Sequence, residues 1–570
     1  MNFNENLADL RKRLDALGVD ALLVAMNNFY GNFRETLSGI AQISGFTGSN
    51  GRAIVSRDAA ILSVDGRYTK QAEEQTNRAL WQVRQYPEFD INAIAAETVK
   101  PGQKLAIGAF SVTYKSYLRL KELSEKVGFS LQVLEECPLF SPEKSRDQVY
   151  LMNEVDAEES RKSKIDRLKQ TLLGGEAVLL TDAAVVGWAF GVRIAPTTDK
   201  CVLPNCVAFI PGVGKPKLFC DLPLHGACDD FDFADISEFE SVMNAQERVA
   251  VKIDFSRTPL HFPNILERNG FSVKSSDVSY GSFEAIKNKT EIRNLRTAAE
   301  RASLSFIRTL AFAENANNTS EQEIADFFEN DLRQYDNFVS LSFNSISAFR
   351  SSSALVHYVP KTCGNKNVAS DGLLLFDAGA HFTNATTDMT RTVYRGNNPD
   401  DELRKIYSTV LRSIIMYSSM KFPDKSKACY LDAIARFFIW HKGYDYQFGT
   451  GHGVGSFGNV HEHPRISPTS SEEITENMVT TVEPGIYRED FGIRMENMLL
   501  TRASGKLGFV EFETLNFIPF CRKLIERSMF SNFELEWLNR YHQTVYTKFA
   551  GELRDDALAL EWLKKNTEEI

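Results

Sequence analysis

Four carboxylates in the second half of this 570-residue chain sit among apolar neighbours: Asp377 in LLLFDAG, Asp388 in TTDMT, Glu483 in TTVEPG and Glu496 in IRMENML. Such flanks imply burial, and a buried ionised carboxylate costs several kcal/mol unless something positive answers it. Gathered in one place, the four would repel one another and rise in pKa unless roughly four positive charges stood between them. Two divalent metal ions supply that charge. The alternative gives each acid its own cation, and Arg391, Arg395 and Arg494 are near enough in sequence to serve.

The stretch FGTGHGVGSFGNVHEHP, Phe448 to Pro464, bears on the choice. A phosphate-cradling loop needs a Lys-Ser/Thr after its glycines, or a strand ending in G-x-G-x-x-G with an acid about twenty residues on, and neither is present. His452, flanked by glycines, reads instead as an imidazole in a glycine-rich turn with little to crowd an ion. One imidazole with four carboxylates suits a pair of borderline-to-hard ions such as manganese, cobalt or zinc.

Positioning these groups takes a sheet. GLLLFDAGA, DMTRTVY, MVTTVEPGIY and FGIRMENMLL are apolar or β-branched runs of strand length. Asp377 and Asp388 are eleven residues apart, so a turn at HFTN can set their strands side by side, and a turn at REDFG can do the same for Glu483 and Glu496. Around them run a long helical segment from Glu284 to Asn315, a helix opened by the capping-box spacing of Ser320 and Glu323, and helices at DELRKIYSTVLRSIIMYSSM and YLDAIARFFIWHKG. Helices with an antiparallel sheet make residues 284–570 an α+β domain. Upstream, helix and strand alternate. Leu7, Leu10, Leu14 and Leu17 fit one face of a first helix, DALLVAM follows as a strand, and RAIVSRDAAILSVDG reads as a hairpin. The plan of amphipathic helix, glycine stop and apolar strand recurs from Ser160. Residues 1–158 and 159–283 are therefore expected to form two related α/β domains.

Composition narrows the partners. A net charge of -10 gives no electrostatic reason to expect nucleic acid or an anionic membrane. EAVLLTDAAVVGWAFGV is the nearest approach to a membrane span and is broken by Thr181 and Asp182. The first residues lack the basic and apolar regions of a secretory signal, so a cytoplasmic protein is expected. The eight cysteines are scattered, and the Cys201–Cys206 spacing lacks the second pair a zinc knuckle needs, which predicts reduced thiols.

The order Asp, Asp, His, Glu, Glu, set in DAGAHFTNATTDMTRT, GTGHGVGSFGNVHE, VEPGIY and GIRMEN, closely resembles the pita-bread metallopeptidases. Among them the chain is similar to the long, three-domain cytosolic X-prolyl aminopeptidases, through SGFTGSNGRA and DGRYTKQAEEQ early and FETLNFIPF and EWLNRYHQTV late. The resemblance implies two creatinase-like α/β domains before a pita-bread catalytic domain. It implies a pair of divalent ions, Mn2+ before Co2+ or Zn2+: Asp377 and Asp388 on one, His452 and Glu483 completing the other, Asp388 and Glu496 bridging. The implied reaction is hydrolysis of the N-terminal Xaa-Pro bond through a water held between the ions, with Glu483 as proton shuttle. His357 and His461 would contact substrate and stabilise the tetrahedral intermediate, while Tyr487 and Arg494 would wall the proline pocket and steady the site. The resemblance further implies a homodimer and peptide substrates with proline second. Phe448 departs from the family, which usually has a pocket histidine there, and His463 stands where HEGP is usual; no role is assigned to His463. An Xaa-Pro dipeptidase of the prolidase type, or a pita-bread protein that binds peptides without catalysis, are the alternatives.

Overall fold

The computed structural model describes residues 2–26, 38–86, 90–135, 139, 148–154, 158–194, 205–226, 228–368 and 371–570. They form two compact units. The first comprises Met1–Glu154, Glu159–Ala195 and Val202–Tyr280, and the second Gly281–Ile570 with 155–158 and 196–201. Cys137, Cys201 and residues 140–147 and 155–157 around the expected boundary of the first two domains lie outside the described residues.

Two six-stranded sheets make up most of the first unit. One runs Gln82–Gln85, Ala60–Val64, Arg52–Ser56, Ala21–Ala25, Lys104–Gly108, Ser130–Leu134; the other runs Asp232–Asp235, Lys217–Cys220, Cys206–Pro211, Ala177–Leu180, Ala250–Ile253, Ser272–Ser275. The senses correspond strand by strand. In each sheet the strand after the first helix pairs antiparallel on one side and parallel on the other. The outer pairs match as well: one is antiparallel and two are parallel in each sheet. The recurring helix-glycine-strand pattern thus builds the same sheet twice. Leu7, Leu10 and Leu14 are buried on the first helix, but Leu17 is 41% exposed because the helix ends there, its chain turned by Gly18 at φ 66°. Asp182, which breaks the long apolar run, caps the helix Ala183–Phe190 by accepting from Ala184 N.

In the second unit the long helical segment is divided. Lys287 N donates to Asn477 O (2.9 Å), and Asn288 then caps a new helix, Lys289–Asn315, in a capping box with Glu291. Leu295, Phe306 and Leu310 of that helix are buried with Tyr407, Leu411 and Ile414 of the helix Asp401–Ser419 in one core. Each such side chain contributes about 1.5–3 kcal/mol. Ser320 and Glu323 form the expected capping box at the start of Glu321–Leu332. The strands are antiparallel throughout. Ile346–Phe349, Gly372–Ala378 and Met389–Arg395 make a three-stranded sheet. Lys421–Pro423, Phe509–Thr514, Asn497–Ala503, Val479–Val482, Gly451–Gly453 and Glu462–Ile466 make a six-stranded one.

Candidate metal centre

Each carboxylate stands at the end of a ladder. Asp377 lies opposite Thr390 in the pairing of Gly372–Ala378 with Met389–Arg395, and Asp388 immediately precedes the second of those strands. Between them the chain makes a small hairpin, Ala380–Phe382 with Ala385–Thr386, at the expected turn. Val482 pairs with Asn497, which leaves Glu483 and Glu496 as direct neighbours of that last pair, joined by the hairpin Gly485–Tyr487 and Gly492–Arg494. Glu496 N donates to Thr390 O (3.0 Å), which ties the two ladders together where the acids are.

His452 comes in on a strand, where the sequence read as a turn. Gly451–Gly453 lies in the six-stranded sheet, and its glycines answer to steric crowding. A Cβ on Gly451 would stand 2.1 Å from Thr481 O, and one on Gly453 1.8 Å from His463 O, closer than any real contact. The imidazole Nδ1 lies 3.0 Å from Gly453 O; donation there fixes the tautomer and turns the Nε2 lone pair toward Asp388 Oδ2 (3.5 Å) and Glu483 Oε1 (3.6 Å).

The donor atoms converge. One each from Asp377, Asp388 and Glu496 lie within 4.8 Å of one another, as do one each from His452, Glu483 and Glu496. Glu496 belongs to both groups, as a bridging ligand must. A third group joins Asp388, His452 and His461, so His461, read from the sequence as a substrate contact, stands at ligand distance as well. Its ring centroid is 4.3 Å from that of His452. Asp377, Asp388 and Glu496 form a buried floor, while Glu483, His357, Phe448 and Tyr487 are part-exposed and His461 is exposed. The site therefore opens on one side.

Electrostatics separate the two readings of the acids. Arg494 pairs with Asp377 and with the Tyr487 hydroxyl, and donates to Val356 O (3.3 Å). Burial alone would weaken its charge, but Tyr487, Asp377 and Glu483 hold the guanidinium firmly protonated. Arg391 turns away, to the carbonyls of Thr390, Glu496 and Ile518, Asn497 Oδ1 and the Tyr541 hydroxyl, and Arg395 binds the carbonyls of Ala313 and Ala316. Of the three arginines proposed as partners, one answers one acid. Burial, then the Glu496, Asp377 and Glu483 carboxylates, push Asp388 well above the usual carboxylate range. Burial and the Glu483 and Asp377 carboxylates do the same to Glu496. Asp377 Oδ1 and Glu496 Oε1 are buried with no hydrogen-bond partner. These are the marks of a site built for cations, and the donor set of one imidazole and four carboxylates fits two divalent ions.

Supporting contacts invisible in the sequence hold this set. Thr390 Oγ1 donates to Glu496 Oε2 (2.9 Å), Glu483 N donates to Thr450 O (2.7 Å), and Thr481 Oγ1 accepts from His452 N (3.2 Å). Behind His461, Glu462 is buried in an ion pair with Lys287. Hydroxyls and buried ion pairs of this kind have no signature of spacing; the β-branched runs that carry the threonines read only as strands. His463 pairs with Glu472 and faces Gly281, where a Cβ would stand 2.2 Å from its ring. Phe448 meets Tyr446 at 5.0 Å and Tyr487 at 5.7 Å between ring centroids, forming an aromatic wall.

A doubled α/β sheet in one unit, and a carboxylate-histidine centre for two ions between antiparallel ladders in the other, define a creatinase-type metallopeptidase with a pita-bread second unit. Residues 293–503 match the model of metallopeptidase family M24, residues 508–570 its C-terminal region, and residues 6–136 the creatinase/prolidase N-terminal domain. The chain is 30% identical to a probable Xaa-Pro aminopeptidase P of Pyrenophora tritici-repentis, over 92% of this chain and 95% of that one. It is 29% identical to the counterpart in Pyrenophora teres f. teres, over 98% and 92%. The solved X-prolyl aminopeptidase of Caenorhabditis elegans, described as a cytosolic enzyme with a di-nuclear active site, superposes with a TM-score of 0.91 at 25% identity and full coverage of both chains. The chain belongs to the Xaa-Pro aminopeptidase P family.

Proposed function

We propose that this protein is a metal-dependent aminopeptidase that removes the first residue from peptides with proline second. The observation that carries the reading is the convergence of Asp377, Asp388, His452, Glu483 and Glu496, where Arg494 pairs with Asp377 while Arg391 and Arg395 turn away. Asp377, Asp388 and Glu496 would hold one ion and His452, Glu483 and Glu496 the other, with Asp388 shared; manganese is the preferred identity. Such a pair, when bound, polarises the scissile carbonyl and acidifies water. Glu483, with a side chain 20% exposed beside its buried partners, can take a proton from attacking water and pass it to the departing prolyl nitrogen. His461, whose ring lies beside that of His452, and His357 are assigned to the charge that develops on the carbonyl oxygen. An Xaa-Pro bond offers no amide hydrogen and a fixed φ, so a peptidase that seats substrate as a strand cannot hold it. Phe448 and Tyr487 provide the aromatic wall such a ring needs.

The lack of a disulfide among the described cysteines and the cytosolic description of the nematode enzyme support a cytoplasmic setting. No helix among the described residues is long and apolar enough to cross a membrane. On the helix Ala428–His441, Tyr430, Phe437 and Trp440 are 60%, 58% and 50% exposed, an aromatic face that supports self-association as a homodimer. Three domains, 1–158, 159–283 and 284–570, remain the organisation we favour.

Elemental analysis of purified protein, alongside hydrolysis of a proline-second tripeptide and an Xaa-Pro dipeptide with added manganese, tests the function. Two equivalents of metal and release of the first residue from the tripeptide are expected; cleavage of the dipeptide alone would make it a prolidase. Asp388→Ala should lose both metal and activity, and unchanged values for both would end the enzyme reading.

A further inference from the structure

Between the strand Ile346–Phe349 and the isolated bridge of Ser320 with Asn367, the chain makes a long excursion that carries His357. Apart from a turn of 3-10 helix at Arg350–Ala354 and one of α-helix at Pro360–Cys363, it has no regular structure of its own. A segment of this kind samples many conformations unless it is pinned, and a reacting group misplaced by about 1 Å can cost 10²-fold in rate.

One side chain pins it at three points. Glu321, 0% exposed and first residue of the helix Glu321–Leu332, accepts from Phe349 N (2.7 Å) where the segment begins. It accepts from the Tyr358 hydroxyl (2.6 Å) directly beside His357, and from Lys366 N (2.5 Å) where the segment ends. Its own amide donates to Lys366 O (2.9 Å). Three donors and the positive end of a helix account for a carboxylate kept out of water. On the other side, Ser353 Oγ accepts from Gly492 N (2.9 Å), and Val356 O accepts from Arg494, which also holds Asp377. The backbone of His357 is thereby held between Glu321 and the arginine of the metal centre.

We infer that Glu321 is a positioning residue for catalysis: through Tyr358 it sets where the His357 imidazole stands, without touching metal or substrate. The inference rests on the substrate-contacting role proposed above for His357. A carboxylate that merely stabilised the fold would lower Tm without caring whether His357 is present, so the test is a double-mutant cycle. Tyr358→Phe and Glu321→Gln are made alone and together with His357→Ala, and kcat and KM are measured on a proline-second tripeptide with manganese, with metal content determined for each variant. Tyr358→Phe is expected to keep full metal content and lose about 10-fold in kcat at little cost in KM, Glu321→Gln more. In the His357→Ala background the same changes should cost less than about 2-fold. Equal losses with and without His357, or wild-type kcat in Tyr358→Phe, overturn the inference; if Glu321→Gln does not fold, the Tyr358 cycle decides alone. A silent His357→Ala leaves Glu321 nothing to position and overturns it too, whereas a wild-type protein without activity overturns the peptidase reading itself.

Discussion

At the residue scale the site sorts its members by burial. Asp377, Asp388, His452 and Glu496 lie out of water, whereas Phe448 and His461, the proposed substrate contacts, are part-exposed and exposed and share the open side of the site with Glu483, the ligand assigned to proton transfer. His461→Ala is expected to retain metal and lose kcat by about 10²-fold or more, as removal of one preorganised donor to a developing oxyanion does. Since a nitrogen of His461 stands at ligand distance from Asp388 and His452, metal analysis of that variant is the decisive companion measurement: lost metal would make His461 a ligand. Phe448 is one of two positions, with His463, at which the resemblance leads one to expect a different residue. In Phe448→His an imidazole replaces a ring packed on Tyr446 and Tyr487, restoring a hydrogen-bond donor to an otherwise aromatic wall. One added hydrogen bond of about 1 kcal/mol predicts a rise in kcat/KM of roughly 5-fold for proline-second peptides. It also predicts a shifted preference for the residue after the scissile bond. Identical specificity profiles would show the position to be silent. The four carboxylates of the proposed centre were legible because carboxylates in apolar runs violate ordinary burial and so announce a compensating charge. Glu321 was not, since a glutamate one residue after a helix cap looks like any first-turn acid, and only the fold reveals that Phe349, Tyr358 and Lys366 converge on it.

At the element scale the strands were readable and the reason for the glycines was not. Alternation and β-branching mark the ladders around both acid pairs, but nothing in GTGHG separates a turn from a strand squeezed between two others. The crowding at Gly453 settles it, and yields a prediction that clearance around a metal would not. Gly453→Ala puts a Cβ 1.8 Å from His463 O, a backbone atom that cannot swing aside, in the strand that also carries His452. That substitution should cost more than about 4 kcal/mol, among the largest effects of a single methyl. It should also cost metal binding, read as a drop in Tm and in bound metal together. A normally stable, metal-replete Gly453→Ala protein would mean that crowding does not require glycine there, and normal stability with lost metal would mean that the glycines serve the ions. The division of the long helical segment at Lys287 was likewise hidden. Its cause is a turn far along the chain, whose Asn477 carbonyl accepts the Lys287 amide while the Lys287 side chain pairs with Glu462, next to His461 in sequence. Local propensity describes a helix through that point; tertiary contacts end it.

At the scale of the whole molecule, stability should depend on pH in two opposed ways, and only one of them belongs to the metal centre. Burial drives the pKa of His542 down to about 3, and its Nε2 accepts from Phe520 N (3.2 Å). The unfolded chain takes up that proton near the ordinary histidine value of about 6.5, so the stabilisation is complete above that value and is lost as pH falls toward 3, at about 1.4 kcal/mol per unit. Asp388 and Glu496 behave in reverse. Their pKa values in the folded, metal-free protein are raised by burial and by the neighbouring carboxylates, Glu483 and Asp377 among them, so the fold binds protons that the unfolded chain releases near pH 4. The stabilisation from those protons is complete below that pH and is lost as pH rises through the raised values. Bound divalent ions replace the protons and remove this loss, while leaving His542 untouched. The difference in Tm between metal-loaded and chelator-stripped protein therefore cancels the histidine and isolates the carboxylates. It should widen steadily from pH 5 to pH 8, with metal affinity rising over the same range because the ligands must shed protons to bind. Thermal unfolding of both forms at several pH values measures it. A difference independent of pH would mean that the carboxylates are already ionised without metal, held apart by something other than the ions, and the electrostatic case for a two-metal centre would fail with it.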